Sequence, residues 1–197
     1  MNGVVVVTAP DSLPVTLDDA KAHLRVVTTD EDALIAVLIE AATDYAESFL
    51  GRALVARTLD RFMDAFPTGA IELPLPPLIS VTGVFYVDTA GVEQEFTTFE
   101  VDTASEPGRV YLVPTVDWPT PRVSANAVRV RYRAGYVDAT VSPASGVIPQ
   151  SIEAAILLII GTLYEHRETV VIGQTPALVP WSAEQLLRRH RVELSMA

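Results

Sequence analysis

Helical periodicity at both ends, with a long strand-patterned stretch between, most constrains what this chain can fold into. Two N-terminal helices end in Asp44-Tyr45-Ala46-Glu47-Ser48-Phe49-Leu50-Gly51-Arg52. About ninety residues with alternating apolar positions and frequent turn residues follow. Helical spacing returns at Ile148-Pro149-Gln150-Ser151-Ile152-Glu153-Ala154-Ala155-Ile156-Leu157-Leu158, and a basic run, Leu186-Leu187-Arg188-Arg189-His190-Arg191-Val192, lies beyond it. The pattern predicts an α+β fold with a helical core of three to four helices, an inserted antiparallel β subdomain and a C-terminal docking helix. The divisions expected are 1–53 and 148–168 for the two parts of the helical core, 54–147 for the β-rich insertion, and 169–197 for a loop and docking segment.

The hydrophobic share of 49% supports a packed core in a chain of 197 residues. Cysteine is absent, which excludes disulfides, zinc–thiolate sites and thiol nucleophiles, and fits a reducing cytoplasm. The formal net charge is −11, and residues 1–50 hold nine acids against Lys21 and Arg25, a local balance of −7. Such a surface repels phosphate, which argues against sequence-specific DNA binding by this half. An acidic wall still suits DNA that must slide past without sticking. Gly3 to Val7 lacks the basic flank of a secretory leader, and the longest apolar run, Ala154 to Ile160, is far short of a bilayer span. The chain is expected to be soluble, with no membrane partner.

Val4 to Val7 reads as a short strand ended by Ala9-Pro10. Thr16 caps a first helix, with Asp19 at the N3 position, and that helix is expected to stop near Val26-Val27. A second helix, capped by Thr29 or Asp30, carries the apolar stripe Leu34, Ile35, Leu38, Ile39, Ala42, Tyr45, Ala46, Phe49 and Leu50 and stops at a C′ glycine, Gly51. The β-rich stretch predicts strands at Thr58–Met63, Val81–Val87, Glu95–Val101, Arg109–Val113 and Val128–Tyr132, with Ile71-Glu72-Leu73 leading into a stiff proline corner and a hairpin turn at Ala90-Gly91. A small antiparallel sheet packed on the helices is expected. Pro149 suits the first turn of a third helix, whose face of Ile152, Ile156, Ile159, Ile160 and Leu163 reads as a ring or core contact. Residues 168–181 read as an unusually apolar loop. A last helix is expected to begin at Ser182, with Ser182 and Gln185 as a capping box and Trp181 stapled onto Leu186. It is too short to be stable alone, so it is expected to need a partner surface.

No pattern of catalytic chemistry stands out. His23, His166 and His190 fall on different elements without metal-ligand spacing, so no metal, cofactor or catalytic residue is assigned. Asp30-Glu31-Asp32 lacks the spaced ligands of a calcium loop and is explained by the positive end of a helix. There is no Gly-x-Ser-x-Gly elbow and no phosphate loop, and Lys21 is the single lysine. Leu73-Pro74-Leu75-Pro76-Pro77 is a stiff lead-in to a strand before it is a polyproline ligand. Trp181, Leu186, Leu187, Arg188, Arg189 and Arg191 form the candidate docking surface, weighed against a solvated basic helix end.

Several segments, in order, carry a family resemblance. They are Val15-Thr16-Leu17-Asp18-Asp19-Ala20-Lys21-Ala22-His23-Leu24-Arg25-Val26, Asp30-Glu31-Asp32-Ala33-Leu34-Ile35, Ala41 through Arg52, Tyr132-Arg133-Ala134-Gly135-Tyr136, Ile148-Pro149, Tyr164-Glu165-His166-Arg167-Glu168 and the basic run at 186–192. Together they resemble the head–tail connector (adaptor) proteins of long-tailed phages and phage-derived gene transfer agents. The resemblance implies a structural protein, not an enzyme. It implies a ring, usually of twelve copies, beneath the portal of a DNA-filled head, extending the DNA channel and presenting a surface to stopper or tail proteins. Assembly in the bacterial cytoplasm into a virion or phage-like particle follows, with residues 182–197 reaching the portal. Deleting that segment is then expected to leave a folded protein that no longer joins heads. The alternatives are a tail-terminator or stopper of the same particle and, from a different class, a packaging-associated enzyme acting on DNA. The lack of clustered carboxylates with a lysine argues against the last.

Overall fold

The computed structural model describes residues 3–137, 146–166 and 180–192. In chain order it contains β1 (Val4–Thr8), α1 (Leu17–Leu24), α2 (Asp32–Leu50), β2 (Arg57–Met63), β3 (Ile71–Leu73), β4 (Leu78–Val87), β5 (Glu93–Phe96), β6 (Phe99–Asp102), β7 (Gly108–Leu112), β8 (Val128–Ala134), α3 (Gln150–Glu165) and α4 (Trp181–Arg188). Most of the expected loop at 168–181, and residues 193–197 of the expected docking segment, lie outside the described residues.

The four helices form one core from blocks far apart in sequence. α2 contributes Ile35, Ile39, Ala42, Ala46 and Leu50, and α3 contributes Ile152, Ala155, Ile156, Ile159 and Ile160. α1 adds Ala20, and α4 adds Ala183 and Leu187. α3 packs against both α2 and α4, which explains why it is apolar over so much of its circumference. Burial of each large aliphatic side chain here contributes about 1.5–3 kcal/mol. Thr43, buried on α2, returns its hydroxyl to the Ile39 carbonyl at 2.7 Å, so no polar group is stranded.

The strands form a second core. A five-stranded antiparallel sheet has the order β1-β2-β8-β4-β5, and a three-stranded antiparallel sheet has the order β3-β7-β6. Leu59, Val84, Val128, Val130 and Tyr132 of the larger sheet share an apolar interior with Ile71, Leu73 and Val110 of the smaller. β8 shows why: its sequence Val-Arg-Val-Arg-Tyr-Arg-Ala alternates buried with half-buried side chains along its whole length.

This corrects the expectation of a single small sheet lying on the helices. Every substantial contact between elements is helix on helix or strand on strand. The expected strand at Glu95–Val101 is also two strands, β5 and β6, placed in different sheets. β1, which precedes the helices, pairs with β2 as an edge strand of the larger sheet.

Helix ends agree with the sequence in some places and not in others. Thr16 caps α1, accepting the Asp19 N–H at 3.1 Å, and its hydroxyl donates to the Asp19 carboxylate at 2.5 Å. α1 ends at Leu24, before Val26, because Arg25 turns left-handed at φ 60°. Gly51 ends α2 in the same conformation, at φ 65°, where lack of a Cβ removes the strain. The cap of α2 is Glu31 rather than Thr29 or Asp30, and it makes no side-chain capping bond. Pro149 stands at the N-cap of α3, one position before its first turn.

Candidate assembly surfaces

The two cores meet at a joint built from backbone bonds and two arginines, Arg52 and Arg57. Just after Gly51 the chain turns into β2, and two backbone bonds, Ala53 N–H to the Pro76 carbonyl and Ala56 N–H to the Val137 carbonyl, tie the turn to the β subdomain. The stretch Leu73–Pro77 is therefore committed within the chain, since Pro74 also accepts the Tyr132 hydroxyl at 2.9 Å and Pro77 accepts the Gly135 N–H. At Gly135, φ is +143°, and a Cβ would lie 2.4 Å from the Ala56 nitrogen, so only glycine permits this close crossing.

Arg52 occupies the centre of the joint with 8% of its surface exposed. Its Nε donates to the His190 carbonyl and its Nη2 to the Glu106 carboxylate, each at 2.5 Å, and its guanidinium lies 5.9 Å from the Tyr136 ring centroid. One side chain thus touches the end of α2, the segment after α4 and the β subdomain. The hydrogen bond from Arg52 holds the Glu106 carboxyl below its usual pKa. Glu47, one turn earlier, accepts the Leu54 N–H at 2.8 Å and Arg57 at 2.5 Å, yet burial pushes its pKa up. Sequence reasoning missed Arg52 as a hub, because its partners Glu106 and His190 are remote in the chain.

The candidate docking residues divide. Leu187 is fully buried in the helical core beside Ala183, and Leu186 is partly buried against it. α4 is therefore a folded part of the core, not a free peptide, and deleting residues 182–197 would open that core. The expected Ser182–Gln185 capping box does not form: Pro180 is the N-cap and makes no side-chain bond. Trp181 is 74% exposed, so it does not staple onto Leu186. Arg188, Arg189 and Arg191 remain exposed, with the Arg191 guanidinium 5.5 Å above the Phe49 ring. The segment is anchored from Val192 N–H to the Leu50 carbonyl at 2.9 Å, and His190 Nε2 lies 2.8 Å from Ser151 Oγ. Among the described residues of this segment, Trp181, Ser182, Gln185, Arg188, Arg189 and Arg191 are exposed, and the three arginines carry its positive charge.

Ile152, Ile156, Ile159 and Ile160 are buried within the chain's own core, and Leu163 is half-buried. Any contact with another copy must therefore use surface other than those four isoleucines. The described residues offer Val37 on α2, Val27 after α1, and Val5, Val6 and Val7 on edge strand β1, all well exposed. An apolar edge strand has unpaired backbone groups open to another chain. The acidic cluster at the start of α2 is largely engaged within the chain. Asp32 pairs with Lys21 at 2.5 Å, and Glu31 accepts the Tyr164 hydroxyl. Among the described residues, no three metal-ligating side chains come together to hold an ion, and no helix is long and apolar enough to cross a membrane.

Comparison with known proteins gives two findings. Residues 14–98 match the family described as phage gp6-like head-tail connector protein. The whole fold is similar to chains in three solved assemblies. One, from the neck of an empty gene transfer agent (GTA) particle computed with C6 symmetry, has a TM-score of 0.77 at 22% identity over 99% of this chain and 98% of that chain. One from the virion of a native GTA particle gives 0.75 at 21% identity, covering 98% of each chain. One from the neck of a native GTA particle computed with C12 symmetry gives 0.72 at 22% identity, over 100% of this chain and 98% of that chain. At these identities the likeness is one of fold. No curated protein matches the chain.

Proposed function

We propose that this chain, whose residues 14–98 match the phage gp6-like head-tail connector family, is such a connector and forms a ring beneath the portal of a phage-like particle. In that position it extends the DNA channel and joins the head to the tail. The observation that carries the reading is the fold likeness to GTA neck chains across nearly the full length of both partners. The C12 neck favours twelve copies. A cyclic ring uses two different patches on each subunit, so exposed apolar positions on α2 and β1 suit contacts between copies. The acidic balance of residues 1–50 suits a wall past which DNA moves without sequence-specific binding. Stopper or tail proteins meet the far side of the ring. The role is structural, and no residue is assigned to catalysis.

Portal contact is assigned to the exposed end of the helical core: Trp181, Arg188, Arg189 and Arg191, with Leu186 at its margin. Leu187 supports this surface from inside. Residues 54–147 act as an insertion between the core blocks 1–53 and 148–168, with β1 recruited to the insertion's sheet, and 169–197 supplies the docking end. The experiment is co-sedimentation of the full chain with purified portal rings. Wild-type protein should pellet with the portal, and the double variant Arg188→Glu with Arg189→Glu should bind about tenfold more weakly or worse. Equal binding by the folded variant would remove the portal role from this surface.

A further inference from the structure

We propose that the cavity where β2 of the larger sheet faces β3 and β7 of the smaller is an oxyanion-binding site, with Arg61 and Arg109 as its cationic donors. The cavity is about 630 Å³ and is lined by Arg61, Met63, Ile71, Glu72, Arg109 and Tyr111 among others. That volume lies within the range of small-ligand sites. Arg61 carries the argument. Its Nε and Nη1 are shut off from solvent and have no hydrogen-bond partner. A guanidinium stays charged in proteins, so burying one without a matched acceptor is costly. Burial also pushes the Arg61 pKa down, against weaker support from Tyr132 and then Glu72.

Arg109 adds a second unspent donor. Its Nε is buried without a hydrogen bond, and Glu72 meets it only as a long ion pair at 3.8 Å, outside hydrogen-bond range. Its Nη1 donates to the Tyr111 hydroxyl at 3.3 Å. The lining acids do not fill the need. Asp64 accepts the Asn126 N–H at 2.9 Å, and the Glu72 side chain is 41% exposed. The contrast with neighbouring arginines is direct: Arg57 on β2, and Arg129 and Arg131 on β8, each meet a carboxylate oxygen within 3 Å. Arg61 lines the cavity together with Arg109, and the complementary partner of such guanidinium groups is an anion with two acceptor oxygens. Inorganic phosphate and an acidic side chain from an adjoining protein share that chemistry. The site stands apart from the connector reading and does not depend on it.

The test is a titration of the full chain, observed through the side-chain Nε–H resonances of its arginines. Inorganic phosphate and glutarate are added separately at constant ionic strength set with chloride. The site predicts saturable shifts of Arg61 and Arg109, and binding about tenfold or more weaker in Arg61→Met. Response to phosphate alone marks a free-ion site, and response to glutarate as well marks a seat for an acidic side chain. If Arg61→Met does not fold, Arg109→Gln serves, read from the Arg61 resonance. No saturable shift with either anion, or an unchanged affinity in the variant, overturns the proposal.

Discussion

The helical core and the β subdomain are stabilised in different ways. The helical core joins residues 17–50, 150–165 and 181–188 through aliphatic side chains, with single polar pairs such as Lys21–Asp32 and Tyr45–Glu184 at its margins. The β subdomain is largely one continuous stretch, and it ties its strands with charge. Asp60, buried at 5% exposure, accepts from Arg131 twice at 2.8 Å and from Arg129 at 3.4 Å, and Arg129 reaches on to Glu93 at 2.9 Å and lies 4.2 Å above the Phe85 ring. One region is held by burial across long chain separations, the other by ladder pairing and charge networks. The first should respond to lost volume, the second to pH and salt.

The largest effects should come from truncation in the helical core. Ile156→Ala and Leu187→Ala should each cost about 2–5 kcal/mol, because both side chains are fully buried. Denaturant unfolding measures this, and the Leu187 result separates a folded α4 from a detachable peptide: a cost below about 0.5 kcal/mol would return α4 to the status of a surface segment. Next comes the joint. Arg52→Met should cost about 1–3 kcal/mol by stranding the His190 carbonyl and the Glu106 carboxylate. It should also loosen the coupling of the two cores, so that helical circular dichroism and Trp118 fluorescence cease to report one shared transition. Coincident transitions in that variant would show that the backbone bonds and the Glu47–Arg57 pair couple the regions without Arg52.

Acid titration should give a smaller and more selective effect. Asp60 has its pKa lowered, chiefly by the hydrogen bond from Arg131. A lowered folded value means that its contribution is present above the ordinary carboxylate range, about pH 4, and is lost as pH falls through the folded value. Glu47 has the opposite sign. Burial raises its folded value, so its contribution is present at low pH and is lost as pH rises through that value. Asp60→Asn should cost about 1–2 kcal/mol at neutral pH and flatten the acid limb of stability. Glu47→Gln should leave that limb intact. Stability curves from pH 2 to 7 for the two variants decide whether charge matters more in the sheet than at the helix end.

What the sequence made legible was local. Thr16 with Asp19, Gly51 after the last apolar turn, and the alternation of β8 each encode their structure within a few residues. The split between β5 and β6 was hidden because Thr97-Thr98 contains no proline or glycine to mark a break. Arg52 was hidden because its partners come from residues 106 and 190. The three arginines of the basic run are exposed, as their charge implies, whereas Leu187 in the same run is buried in the helical core. The pair Ala183 and Leu187, one turn apart, was the helical-spacing signal that one face of α4 is buried. The candidate assembly surface was therefore legible in its charges and not in which apolar residues supported it. Likewise the face Ile152, Ile156, Ile159 and Ile160 was correctly apolar, yet periodicity alone does not say whether a stripe meets its own chain or another.

The central claim is that this fold works as a ring at the junction of head and tail. Symmetry-averaged cryo-electron microscopy of particles containing this chain tests it most directly. The account predicts density for twelve copies around the axis, immediately below the portal, with Trp181, Arg188, Arg189 and Arg191 facing the portal and the DNA passing through the centre. Particles in which the chain occupies the tail, or is not arranged around the portal axis, would contradict it.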